Sequence, residues 1–311
     1  MSQSDPKLHP IRSELSVPGG DLRKIEKALQ SDADAVFLDL EDSVAASVKD
    51  VVRDTVVKAL SQLDWGRLPR AVRINGVATQ WCYRDLIAIA GDAGSRLDRI
   101  VLPKVTSAGD VAFVDRLLGQ LEQQFARRDP IRLEVQIEDA SGLLAVREIA
   151  KSSSRVTELT FGQGDFASAT GMPATDIGIA DEWDAAVTGD RWLWPRQSIV
   201  FAARAAGLRA LNGPFAAYRG ADGFRAYCRM SRSLGFAGVW CIHPDQIAIA
   251  NDVFAPSREE IARAQLTIAV LDGELSGRQG AVGQDSVMID EATVRMARAV
   301  LALAASIEAR Q

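Results

Sequence analysis

The sequence predicts a (β/α)8 barrel, and three observations carry that expectation. Short β-branched apolar runs alternate with amphipathic helical stretches, eight such runs can be counted, and most of them end in polar or charged residues. Runs that are apolar throughout suit strands buried on both faces, as in a parallel sheet. Eight strand–helix units argue for closure into a ring. The chain has 311 residues, 47% hydrophobic and 25% charged, a globular balance that leaves room for a sizeable core. Residues 1–255 are therefore assigned to one barrel domain, and residues 256–311 to a C-terminal helical extension acting as a lid.

Taken in order, the first run covers residues 15–17 and leads into Pro18-Gly19-Gly20. A helix over residues 21–30 follows, with Asp21 placed to cap it. The glycine fingerprint of an open dinucleotide-binding sheet is absent here. The second run, 35–40, ends Asp39-Leu40-Glu41-Asp42 and precedes a helix over 49–63. The third, 71–74, ends Arg73-Ile74-Asn75-Gly76. The fourth, 99–103, ends Pro103-Lys104 before a helix over 108–125. The fifth, 133–137, ends Gln136-Ile137-Glu138-Asp139 before a helix over 142–150. The sixth, 159–162, leads into Gly162-Gln163-Gly164-Asp165, read as a turn that presents Asp165. Residues 172–196 hold Trp183, Trp192 and Trp194 and are too long for a simple turn. The seventh run, 208–212, ends Asn212-Gly213-Pro214, and the eighth, 238–242, ends Cys241-Ile242-His243-Pro244. Residues 247–254 close the barrel and Pro256 breaks the chain. A helix covers 259–271, residues 272–286 read as a mobile loop, and a last helix spans 291–309.

Composition narrows the function classes. A net charge of -5 with scattered Lys and Arg gives no nucleic-acid footprint. The opening MSQSDPKLHP is too polar for a signal peptide, and no apolar run approaches the roughly 20 residues of a membrane span. A cytoplasmic protein is expected. Three scattered cysteines suggest neither disulfides nor a zinc site. Two histidines leave little material for triad chemistry.

In a barrel the strand ends converge on one rim, where barrel active sites sit. Several carboxylates there repel one another unless a cation lies among them. Hard oxygen donors select Mg²⁺, Mn²⁺ or Ca²⁺, and Glu138 and Asp165, from adjacent strands, are the metal candidates. The alternative is that they join Arg73 and Lys104 in a buried ion network. Arg73 can grip a carboxylate or carbonyl oxygen with its planar fork, or be paired with Glu41 or Asp42. Glu41 and Asp42 join Arg73 as catalytic candidates, and Lys104 joins Arg73, Glu138 and Asp165 as a substrate-binding candidate. Arg23, Lys24 and Lys27, at the start of the first helix, could hold a phosphate or form a solvated basic face. His243 reads as a structural histidine.

The segments RSELSVPGG, DADAVFLDLEDSV, VRINGV, VLPKV, QIEDASGL, LTFGQGDFASATGM, NGPF and WCIHPDQIAIANDVF, in that order, resemble the malyl-CoA lyase and citrate lyase β-subunit family. LDWG, WCYRD and RLDRIVLPKV resemble its malyl-CoA and β-methylmalyl-CoA lyase branch. The resemblance implies a TIM barrel, Mg²⁺, coenzyme A thioester substrates with a 2-oxo acid partner, and a homotrimer or hexamer. It implies that Glu138 and Asp165 hold the metal and that Arg73 binds the oxo acid. It further implies that Asp290, from a neighbouring subunit's lid, is the acid/base. The sequence departs from the family at Asp139, Asn212 and Asp245, where a small or hydroxyl residue, an aspartate and a lysine are common. Rival expectations are a malyl-CoA-type thioesterase, a citrate lyase β-like subunit, and a class II pyruvate-type aldolase. The last expects a histidine in the turn that here reads LEDSVAAS.

Overall fold

In the computed structural model, residues 9–92, 96–274, 281–284 and 287–310 are described. Two compact units emerge, one spanning Ile11–Asn251 and the other running from Asp252 onward together with the N-terminal residues up to Pro10.

The first unit is a closed parallel barrel, with strand order β1 to β8 around the ring. Its strands are β1 Ser13–Pro18, β2 Ala35–Asp39, β3 Arg70–Arg73, β4 Arg99–Leu102, β5 Arg132–Ile137, β6 Val156–Phe161, β7 Arg209–Asn212 and β8 Gly238–Cys241. β1 closes the ring by pairing with β2 on one side and β8 on the other. Between them lie α1 Leu22–Leu29, α2 Lys49–Gln62, α3 Cys82–Ile87, α4 Ala108–Gln124, α5 Ala140–Leu144, α6 Val146–Ala150, α7 Gln163–Thr170, α8 Glu182–Ala185, α9 Leu193–Ala205 and α10 Ala221–Leu234. The eight expected runs are the eight strands, each within a few residues of its expected limits. The TIM-barrel fold is thus the one the alternation dictates.

The barrel interior is layered, because residues two apart on a strand share a face. Lowest is an ionic layer: Arg99 of β4 pairs with Glu14 of β1 and lies 3.2 Å from Glu134 of β5, while Arg209 of β7 pairs with Glu158 of β6. Burial pushes the Glu14 carboxyl well above its usual range. Burial opposes ionisation of Glu158 too, but Arg209 and Arg99 hold it below the usual range. Above this, Phe37, Ala71, Val101 and Trp240 form an apolar plug, with the Phe37 and Trp240 rings 4.7 Å apart. Two residues further along β2 and β3 stand Asp39 and Arg73, and just past the end of β5 stands Glu138.

Two local expectations are corrected here, and a third holds. The stretch after β6 is not a free turn: Gln163 opens α7, with Asp165 in its first turn. Its backbone continues into helix because nothing in GQGDFASAT breaks one until Gly171, which ends α7 at φ 69°. The single helix expected over 142–150 is two short ones, starting earlier at Ala140 because Asp139 caps it by accepting from Gly142 N at 2.6 Å. The expected helix start at Asp21 is as read: its side chain accepts from Lys24 N at 3.1 Å.

The second unit holds α12 Arg258–Glu274, an antiparallel pair β9 Ala281–Gln284 and β10 Val287–Asp290, and α13 Glu291–Glu308. α11 Asp245–Phe254 leads into it. The expected loop over 272–286 is therefore partly structured: α12 extends to Glu274 and residues 281–284 pair as a strand. Residues 275–280 and 285–286 lie outside the described residues. The Gly- and Ser-rich composition hid a strand whose partner, VMID, lies only a few residues on. Val294 of α13 is buried and packs against Ile268 and Val270 of α12.

Candidate active site

The rim is assembled by groups that pin each strand end. Lys49 of α2 is buried, and its Nζ donates to the carbonyls of Leu40 and Glu41, 2.9 Å each, fixing the exit from β2. Asp85 of α3 accepts from Asn75 N and Asn75 Nδ2 at 3.0 and 2.6 Å, and from Arg53 Nε at 2.7 Å, fixing the exit from β3. Gln246 accepts from Ile242 N at 2.8 Å and donates to Phe215 O at 2.9 Å, tying the β8 and β7 loops together.

At the centre Arg73 grips Asp39 bidentately, Nε to Oδ1 at 2.7 Å and Nη2 to Oδ2 at 2.8 Å. Nη1 lies 3.2 Å from Glu41 Oε2. Both side chains of the Arg73–Asp39 pair are nearly sealed from solvent. Burial opposes both charges, yet the hydrogen-bonded pairing holds the Asp39 carboxyl below and the Arg73 guanidinium above their ordinary ranges. A guanidinium has five N–H donors, so Arg73 keeps donors free of Asp39 for a substrate oxygen. Of the expected partners, Glu41 is present. The principal partner, Asp39, was missed, although it lies two residues beyond the inward-facing Phe37 and so shares its face.

Glu138 is 2% exposed. Its Oε1 accepts from the Lys104 backbone N at 2.6 Å, and its Oε2 accepts from Gln136 Nε2. Burial, then the neighbouring charges of Asp165 and Glu41, push its carboxyl well above the usual range. The structure thus brings Glu138, Asp165, Glu41 and Arg73 into one electrostatic neighbourhood. Lys104 Nζ contacts Glu41 Oε1 at 2.5 Å and Asp42 Oδ1 at 3.0 Å. Gly162 makes room for this arrangement: a Cβ there would stand 2.5 Å from Glu138 Oε2 and 2.8 Å from Gln136 Nε2. The sequence expectation gives Gln136, like Asp39, no role, though it shares the inward face of β5 with Glu138.

The donor chemistry fits a hard divalent cation. Glu138 and Asp165 repel each other in a largely desolvated position, and each bonded Glu138 oxygen retains a lone pair. Among the described residues no group of three or more His, Cys, Asp or Glu side chains forms a metal cage. Two carboxylates suit Mg²⁺, which keeps waters or substrate oxygens in its remaining positions.

The other expected residues lie elsewhere. Arg23, Lys24 and Lys27 are exposed on α1. Asp290 belongs to the second unit and is the N-cap of α13, accepting from Thr293 N at 2.9 Å, while its own N donates to Thr293 Oγ1 at 2.8 Å. The Thr293 amide holds its carboxyl below the usual range. His243 stacks on Tyr218 at 4.7 Å. The departures from the family pattern have structural roles: Asp139 caps α5, and Asn212 bonds Ser231 Oγ at 2.8 Å. Asp245 opens α11 in its first turn. No helix among the described residues is long and apolar enough to cross a membrane.

The model of the HpcH/HpaI aldolase/citrate lyase family matches residues 12–244. An L-malyl-CoA/β-methylmalyl-CoA lyase of Cereibacter sphaeroides is 38% identical over 318 residues, covering 99% of this chain and 98% of that protein. A (3S)-malyl-CoA thioesterase of the same species is 36% identical over 305 residues, covering 97% and 98%. Among solved structures, the CitE protein of Mycobacterium tuberculosis, in complex with magnesium, acetoacetate and coenzyme A, has a TM-score of 0.76 at 27% identity, over 96% of this chain and 99% of that one. The family model spans all eight strands of the barrel, and on that ground, together with the near full-length similarity to the lyase, the chain belongs to the HpcH/HpaI aldolase/citrate lyase family of enzymes.

Proposed function

We propose that the protein is a Mg²⁺-dependent carbon–carbon lyase. It cleaves or forms a malyl-CoA-like 3-hydroxyacyl-CoA thioester from acetyl- or propionyl-CoA and glyoxylate or a related 2-oxo acid. The observation that carries this reading is the buried Glu138, its carboxyl raised by burial and then by Asp165, on the same rim as an Arg73 with donors to spare. Glu138 and Asp165 would hold Mg²⁺ (or Mn²⁺), which when bound supplies Lewis-acid polarisation of substrate oxygens. The full-length similarity to lyases that act on malyl-CoA supports the substrate class.

The chain's own groups have separable tasks. In synthesis a carboxylate base takes a proton from the acyl α-carbon. The carbon then attacks the oxo-acid carbonyl, and the oxygen that gains the electron pair is protonated to the product hydroxyl. Arg73 N–H groups stabilise the charge developing on that oxygen. Cleavage runs the same steps backward, ending with protonation of the α-carbon. Asp290, kept ionised by its cap, is the proposed base, delivered by a neighbouring subunit of a trimer or hexamer. Arg23, Lys24 and Lys27 are proposed to meet the phosphates of coenzyme A. The site is proposed to work in the cytoplasm.

The test is to incubate the protein with Mg²⁺ and malyl-CoA and identify products by mass. Acetyl-CoA with glyoxylate is expected. Malate with free coenzyme A would instead assign a thioesterase, the second reading, favoured by the thioesterase relative. Asp290→Asn is expected to lower the cleavage rate by about 10²-fold or more. Retention of most activity would remove Asp290 from the reaction. Gly162→Ala, by pushing on Glu138, is expected to lower kcat/KM by about 10²-fold, since displacements near 1 Å carry such costs.

A further inference from the structure

Lys104 is one of two non-glycine residues in the left-handed region among the described residues, with φ 53°. An L side chain holds that conformation only where its surroundings compel it, and such residues cluster at functional sites. The surroundings here are specific. Its ammonium is tied to Glu41 and Asp42, both on the loop after β2. Its own backbone N donates to Glu138 Oε1 at 2.6 Å, across on β5. Gly76, from the loop after β3, lies alongside it: a Cβ there would meet Lys104 Cβ at 3.5 Å, an ordinary packing contact. The φ angle sets the direction of the N–H relative to Cβ. With φ left-handed, the amide faces Glu138 while the side chain runs to the β2 loop.

We propose that Lys104 is a positioning residue for Glu138: its ammonium, clamped by Glu41 and Asp42, holds the left-handed turn that aims its amide at the Glu138 carboxylate, and so presets the affinity of the site for a divalent cation. The inference rests on the reading that Glu138 and Asp165 hold that cation. Charge alone argues the opposite effect. A nearby ammonium repels a cation, so removing it should tighten cation binding by electrostatics.

The experiment measures Mn²⁺ affinity, by the paramagnetic resonance signal of free Mn²⁺, for the wild type, Lys104→Ala and Lys104→Gly. Alanine loses the clamp and still disfavours positive φ, so its affinity is expected to fall about tenfold. Glycine adopts positive φ freely, so its affinity is expected to return to within threefold of wild type. Alanine binding as tightly as wild type, or glycine as weakly as alanine, overturns the proposal. Thermal unfolding of both variants checks that each is folded, and the glycine rescue is a readout that general destabilisation would not produce. A wild type that binds no Mn²⁺, or whose affinity is unmoved by Asp165→Asn, overturns the metal reading itself, a result distinct from failure of the Lys104 variants alone.

Discussion

Glu138→Gln is expected to lower kcat/KM for malyl-CoA cleavage by about 10³-fold or more, because it deletes one of two carboxylates proposed to hold the metal. The amide is also a poor fit for the cradle. Lys104 N and Gln136 Nε2 both donate to the carboxylate, so one of them would face the new NH2 group. Stability should move the other way. In the metal-free protein the Glu138 carboxyl lies well above its ordinary range, through burial first and then the charges of Asp165 and Glu41. A carboxyl raised on folding favours the folded state less as pH climbs past the unfolded value. Removing the charge should therefore leave the melting temperature unchanged near pH 4 and raise it near pH 8, measured in chelator. Full activity in this variant would contradict the metal assignment. A lower melting temperature at pH 8 would contradict the electrostatic account of the carboxyl.

Arg73→Lys is the second large effect, with kcat/KM expected to fall by about 10² to 10³-fold, as for the loss of a donor to a developing oxyanion. Charge is preserved, but the fork is not. Arg73 uses Nε and Nη2 on Asp39 and still presents Nη1 toward Glu41, with other N–H groups available. A lysine ammonium is one point with three donors and cannot fill those positions together. The guanidinium also lies over the rings of Phe37 and Trp240, 5.9 and 5.5 Å from their centroids, a packing that lysine would not reproduce. Stability is expected to drop by about 2 kcal/mol, read from urea unfolding, because Asp39 would stay buried and partly unsatisfied. Activity within threefold of wild type would show that charge, rather than the fork, is what the site requires.

The reach of the sequence is clearest on β2 and β5. Runs such as AVFLDL and LEVQI announce buried parallel strands, and the polar groups after them announce a rim. The same runs also encode which polar groups face inward, since Phe37 and Asp39, or Glu134, Gln136 and Glu138, differ by two positions. That period is legible for residues within the strand, but Glu41 and Asp42 lie past its end, where side-chain direction no longer follows from alternation. Residues 272–286 differ from their sequence expectation for another reason: antiparallel pairing is a contact between segments, and their local composition favours a loop.

By itself, then, the sequence determined the barrel, the order of its strands, and the presence of Glu138, Asp165, Arg73 and Lys104 near one rim. Periodicity and strand polarity are local properties, and closure of the ring follows from repeating them. Only the tertiary structure decided that Arg73 belongs to Asp39, that Glu138 is cradled by Gln136 and the Lys104 amide, and that Gly162 must stay small. Those facts depend on distances between strands far apart in the chain, and on a backbone angle at Lys104 that its residue type argues against.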